Sequence, residues 1–229
     1  MSNDDQFIVL SCRNSEGRLE LVSFSLSENA IVATIDAHDA YDWATVTPSG
    51  RYILVRNNIG ESRQLLRYSR WFTDPFEFGG DIEHGDVGVD QNGNELFLMI
   101  GKFQLSALRL DDGLRIQTEA SDFAMELGFG HVSCLNIGRP GWCYFSAHDA
   151  NWVAAIRLTY GDNSGGVAFF DSTYELWSYH RSTHSFYEAE PKVSVSPSGR
   201  QLIYTSDQYG QVIPTDIIVS PLGVDGAGE

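Results

Sequence analysis

The side chains with the most chemistry to offer are four imidazoles, His84, His131, His180 and His184. An imidazole titrates near neutrality, so it can act as an acid, a base or a metal ligand. Near them in sequence stand Arg139, a cation suited to a carboxylate, Tyr187, a phenol that can relay a proton, and Trp142, an aromatic surface. Glu83, His84, Asp86 and Asp90 form a second group whose oxygen and imidazole donors suit manganese, calcium or zinc, with His84 and Asp86 as the candidate ligands. Asp90-Gln91-Asn92-Gly93-Asn94 has the make-up of a calcium-loop fragment, but a plain Asx-Gly hairpin is the expectation there. No Gly-x-Gly-x-x-Gly, Walker, nucleophile-elbow or His-Glu-x-x-His pattern occurs, so nucleotide hydrolysis, serine hydrolysis and helical zinc-protease chemistry have no support.

Each of these residues also has a structural use. Either nitrogen of a neutral imidazole satisfies a buried backbone group, so His84 and His131 can equally fix strand ends. Arg139 precedes Pro140 and can be a turn residue paired with the acidic surface, while Tyr187 and Trp142 can be core aromatics. Both readings stand at this point.

The elements that must position these groups are strands. Three segments share alternating apolar residues, a Gly-bearing turn and a β-prone run: Ala44–Val55, Val87–Leu98 and Val193–Tyr204. In Ser196-Pro197-Ser198-Gly199, Pro presets φ and Gly accepts positive φ, which makes a tight connection from an inner strand to the next strand out. Val46 and Val89 are 43 residues apart, and Val89 and Val195 are 106 apart, close to two and a half such periods. A hairpin at Arg139–Phe145 and an insertion around Gly161–Gly166 account for the excess. Repeats of about 40 to 50 residues in all-β sequence predict a β-propeller of four-stranded antiparallel blades. The units fall near Phe7–Ala37, Tyr41–Phe78, His84–Glu119, His131–His180 and Glu190–Val219. The first lacks an innermost strand and the last an outermost one, which predicts about five blades or part of a larger propeller. One propeller domain over 1–220 and a disordered tail over 221–229 are expected. The best helical stretch, Ala120–Leu127, is too short to matter.

A net charge of −16 argues against nucleic acid as a partner, because it opposes phosphate over most of the surface. No apolar run is long enough to span a bilayer, and the polar start Met1–Gln6 does not read as a secretory signal, so a cytoplasmic location without membrane insertion is expected. Cys12, Cys134 and Cys143 lack metal-type spacing, and buried free thiols are expected. Cys134 and Cys143 flank a loop and can pair in an oxidising compartment.

Ser196-Pro197-Ser198-Gly199-Arg200-Gln201-Leu202-Ile203-Tyr204-Thr205-Ser206-Asp207 resembles the blade signature of TolB-like and WD-repeat-like propellers. Three further runs, His84–Asp90, Gly130–Cys134 with Arg139–Trp142, and Tyr187–Pro191, resemble bacterial propeller polysaccharide lyases of the ulvan-lyase and oligogalacturonate-lyase kind. That resemblance implies β-elimination on an anionic, uronic-acid-containing saccharide. His131 is then the general base, Tyr187 the acid and Arg139 the carboxylate clamp. His84, Trp142 and His184 line the substrate, and His84 with Asp86 holds a divalent metal. Lys192 stands where those relatives often carry His after the Glu-Pro pair. The alternative is a non-catalytic TolB-like propeller that binds a ligand or protein partner, or self-associates if the propeller is incomplete.

Overall fold

The computed structural model describes residues 2–59, 62–79, 82, 85–101, 104–117, 130–147, 151–162, 168–170, 174–183, 190–207, 209 and 215–219. All regular structure among these residues is β, in five sheets, and no helix long and apolar enough to cross a membrane is present among them. The chain divides into two compact units, 1–83 and 84–229.

The first unit holds two blades. Blade one is the meander β1 (Phe7–Arg13), β2 (Leu19–Ser25) and β3 (Ala30–Asp36), and blade two is β4 (Tyr41–Val46), β5 (Tyr52–Ile59), β6 (Ser62–Ser69) and β7 (Phe76–Phe78). Alternation puts Leu21, Val46, Ile53 and Val55 into one core together with Phe72, and Phe7, Val9 and Ile35 pack against it. β1 starts where β4 ends: the Asn3 N–H donates to the Pro48 carbonyl at 2.7 Å, and a Cβ on Gly50 would stand 3.0 Å from the Phe7 ring. β1 is therefore the counterpart of a second strand, and among the described residues blade one has no innermost strand, as the repeat pattern predicts. Arg56 is buried on β5 and compensated by Asp42 at 3.2 Å, since a buried cation is tolerated only when paired.

The second unit holds three blades. Blade three runs β8 (Gly85–Val89), β9 (Glu95–Gly101), β10 (Gln104–Arg109) and β11 (Arg115–Gln117). Blade four is β12 (Gly130–Ser133), β13 (Trp142–Ala147), β14 (Trp152–Arg157) and β17 (Tyr174–Tyr179). Blade five is β18 (Ser194–Val195), β19 (Leu202–Ser206) and β20 (Thr215–Val219), three strands where blades two, three and four carry at least four, so its outermost strand is missing among the described residues. The insertion in blade four forms a hairpin, β15 (Tyr160–Asp162) and β16 (Ala168–Phe170). This hairpin leaves its own blade and joins blade three, β16 pairing in parallel with β11. The outer edge of blade three is thereby covered.

One core lies between blades three and four, around Leu96, Leu98, Phe145, Ala154 and Ile156. Another lies between blades four and five, around Tyr144, Val153, Leu202 and Tyr204. The turn at Gly199 closes on Ser196, whose carbonyl accepts the Gly199 N–H at 2.8 Å. Ala120–Leu127 and the tail lie outside the described residues.

The thiol expectation is corrected. Cys134 and Cys143 form a disulfide with their Cα atoms 4.3 Å apart, and Cys12, the one free cysteine, is exposed. The cause is register. Ser133 pairs with Tyr144 across the β12–β13 hairpin, so the next pair outward is Cys134 with Cys143. The Cys134 N–H points away from the hairpin, to Asp86 at 2.8 Å, and such non-hydrogen-bonded cross-strand pairs sit closest together.

Candidate functional site

Blade four and the approach to blade five carry most of the described candidates. His131 is the second residue of β12, opposite Ser146, and is about one-fifth exposed. Its Nε2 meets Glu190 Oε2 at 3.1 Å, across 59 residues of sequence. The neighbouring contacts are structural: Ser146 Oγ donates to the Pro191 carbonyl, and the Val195 N–H donates to Ser133 Oγ at 3.2 Å. His131 therefore stands in a polar seam that joins the inner strand of blade four to the lead-in of blade five.

Arg139 lies beyond the other end of β12, in the turn to β13. Its guanidinium stacks 3.9 Å over the Trp142 ring, donates to Glu175 Oε1 at 2.6 Å and donates to the Tyr144 hydroxyl at 3.3 Å. The Tyr144 hydroxyl in turn donates to the Gly199 carbonyl at 2.5 Å, and burial pushes the phenol above its ordinary range. Burial alone would raise the Glu175 carboxyl, but the hydrogen bond and charge of Arg139 outweigh it and hold the group below its usual value. Glu175 is the functional partner that the residue pattern misses. It is recognisable only once β17 is known to lie beside β14, where Glu175 pairs with Ala155.

His180 answers the structural reading. It is fully buried, its Nδ1 accepts the Ser182 N–H at 3.0 Å, and its Nε2–H therefore donates to the Ala147 carbonyl at 2.9 Å. Both ring nitrogens serve the backbone. The Ser206 hydroxyl donates to the His180 carbonyl, and Asp207 accepts the Thr183 N–H at 2.9 Å, so this stretch fastens blade four to blade five.

The structure brings Arg139 and Trp142 together and leaves His131 at the opposite end of β12 from both. His84, His184 and Tyr187 lie outside the described residues. Asp86 directs one carboxylate oxygen to the Val87 N–H and the other to the Cys134 N–H, each at 2.8 Å, and burial pushes its carboxyl upward. No group of three metal-capable side chains occurs among the described residues. Asp90 organises a hairpin: its Oδ1 accepts the Asn92 and Asn94 N–H groups, each at 2.8 Å, which is the Asx turn expected of that stretch.

No family model and no curated protein matches the chain. Solved structures do match in fold. A TolB-like protein from Agrobacterium tumefaciens aligns with TM-score 0.55 and 12% identity over 93% of this chain and 77% of its own. TolB from Acinetobacter baumannii aligns with TM-score 0.53 and 11% identity over 97% of this chain. Oligogalacturonate lyase in complex with manganese gives TM-score 0.53 and 11% identity over 89% of this chain. The chain spans about half the length of these last two structures, 53% and 54%. These likenesses and the five sheets define the class: the protein has the fold of the TolB-like β-propellers, a fold it shares with oligogalacturonate lyase. At such identities the likeness concerns fold alone, and function has to be argued from the site.

Proposed function

We propose that this chain is a non-catalytic propeller that serves as a ligand- or protein-binding module. The observation that carries the reading is the separation of His131 from Arg139, each already matched to its own carboxylate. β-Elimination on a uronate needs a cation on the substrate carboxylate and an acid and a base around one sugar ring, all within bonding reach. A guanidinium held by Glu175, Tyr144 and Trp142 is suited to bracing a turn. The net charge of −16 also opposes the approach of a polyanionic substrate. Asp86, with both oxygens on backbone donors, is a poor fit to the manganese, calcium or zinc centre considered from sequence. The disulfide favours an oxidising compartment over the cytoplasm expected from sequence.

The competing reading, a lyase on an anionic saccharide, draws on the fold shared with oligogalacturonate lyase. The test is ultraviolet absorbance of the unsaturated uronate product during incubation with a panel of polyuronates, with and without manganese or calcium. The binding reading expects a flat trace from folded protein. A rise that is lost in His131→Ala overturns it.

A further inference from the structure

Blade two is the cationic part of an acidic chain. Residues 43–73 hold five of the fifteen Lys and Arg residues against one acid, Glu61, in a sequence whose net charge is −16. Three of the five, Arg51, Arg67 and Arg70, gather at the end of the blade where the β4–β5 and β6–β7 turns meet, and the Arg70 N–H donates to the Arg51 carbonyl at 3.1 Å. Aromatic rings lie among them. The Arg51 and Arg67 guanidinium groups stand 4.5 and 4.7 Å from the Tyr52 ring centre, and Arg67 stands 4.9 Å from that of Phe76. Arg70 stands 4.2 Å from the Phe7 ring and 5.3 Å from the Trp71 ring.

Arg70 differs from the arginines already matched to acids. Arg18, Arg56, Arg109 and Arg139 each stand within 3.2 Å of a carboxylate. Arg70 has no ion pair among the described residues; its Nε is buried without a partner, while its two terminal nitrogens reach the surface. Asp4, whose carboxyl is lowered first by the Ser2 hydroxyl and next by the Gln6 N–H, feels Arg70 only as a more distant charge. Asp74 Oδ2 accepts the Thr73 hydroxyl at 3.0 Å, and Glu77 alternates with Phe76 along β7 and so lies on the other face of the blade.

The turn that carries Arg70 holds its neighbour outward. Phe72 and Asp74 both have φ +54°, a region that a bulky side chain seldom adopts. The Phe72 ring is thereby set into the core, edge-on to Tyr68 at 5.9 Å, and Trp71 is left 58% exposed. Backbone strain of this kind clusters at binding sites.

Composition and charge select the partner. Arg, Trp and Tyr are the side chains enriched where protein interfaces concentrate their binding energy. A stacked guanidinium with open terminal nitrogens matches a carboxylate through two parallel hydrogen bonds. A cationic surface on a chain that elsewhere repels acids is complementary to an acidic polypeptide.

We propose that this end of blade two docks an acidic segment of a protein partner, with a carboxylate on Arg70 and an apolar side chain on Trp71. The inference rests on the binding-module reading and names its partner. The test is a titration of the isotope-labelled full chain with an end-blocked heptapeptide of Asp and Glu around a central Phe, with its Asn and Gln counterpart, and with oligogalacturonate of equal charge. The Trp71 indole N–H and the Arg70 Nε–H should shift with the acidic peptide and less with the other two. Arg70→Gln should weaken binding about tenfold, the loss of about 1.4 kcal/mol. Trp71→Ala, at an exposed position, should weaken it as well and covers the case in which the Arg70 variant fails to fold. Arg18→Gln removes the same charge from an already paired site and should change affinity by less than about twofold, as for an exposed ion pair. Absence of shifts at Trp71 and Arg70, equal binding of the acidic and amide peptides, stronger binding of oligogalacturonate, or equal losses in Arg18→Gln and Arg70→Gln overturns the proposal. Each of these outcomes leaves the absorbance assay for elimination unchanged, so this inference and the binding-module reading fail separately.

Discussion

Gly199→Ala is the substitution whose cost the structure predicts most closely. Gly199 has φ +67°, a region that costs an L-residue about 1–2 kcal/mol. A Cβ there would also stand 2.5 Å from Arg139 Cβ, 3.1 Å from Asn136 Oδ1 and 3.3 Å from the Tyr144 hydroxyl oxygen. These atoms belong to the turn and inner strands of blade four, so they yield only by loosening the contact between blades four and five. Overpacking of this kind adds about 1–3 kcal/mol. Gly93 is the control within the same unit: φ is +84°, and a Cβ would meet nothing within 4 Å. Both substitutions stiffen the unfolded chain alike, so that effect cancels between them. Urea unfolding should show both variants destabilised at unchanged m, with Gly199→Ala the worse by about 1–3 kcal/mol. Equal losses would refute the claim that this turn glycine is held by the neighbouring blade as well as by its own backbone.

Thiol labelling of the denatured, unreduced protein should find one reactive cysteine, Cys12, and all three after reduction; reduction should also lower stability by about 2–3 kcal/mol, as for closure of a short loop. Tyr144→Phe leaves the Gly199 carbonyl without its donor and should cost about 1–3 kcal/mol in chemical unfolding. Asp112 is held at about 2 by its hydrogen bond to Arg109. A carboxyl depressed in the folded state stabilises above its unfolded value and loses that contribution as pH falls from about 4 toward 2. Because Asp112 is half exposed, solvent screens the pair and the contribution is only tenths of a kcal/mol. Arg109→Leu should therefore lower stability slightly at pH 6 and leave it unchanged at pH 2, read by urea unfolding at each pH.

The blades were legible because their determinants are local. Alternation in Ala44–Val55 and Val193–Tyr204 and the Ser-Gly turns between strands give β4 with β5 and β18 with β19 at the expected places. That the described residues show no inner strand in blade one and no outer strand in blade five follows from the same phasing. Non-local pairing was not legible. The Gly161–Gly166 stretch reads only as an insertion into the repeat, yet β15 and β16 form on either side of it and join the outer edge of blade three rather than their own blade. The partners of His131 and Arg139, Glu190 and Glu175, lie 59 and 36 residues away, and only the fold says which carboxylate each meets. The disulfide was within reach, because a hairpin turning near Arg139 and Pro140 sets Cys134 opposite Cys143.

The binding reading is tested most directly by mass analysis of oligosaccharides recovered after long incubation with the folded full chain, using uronate-containing and neutral chains, with and without manganese or calcium. The account predicts that every oligosaccharide is recovered intact, including any that binds. Recovery of paired fragments whose masses add to that of the parent, the signature of elimination, would contradict it and return His131 to the role of base.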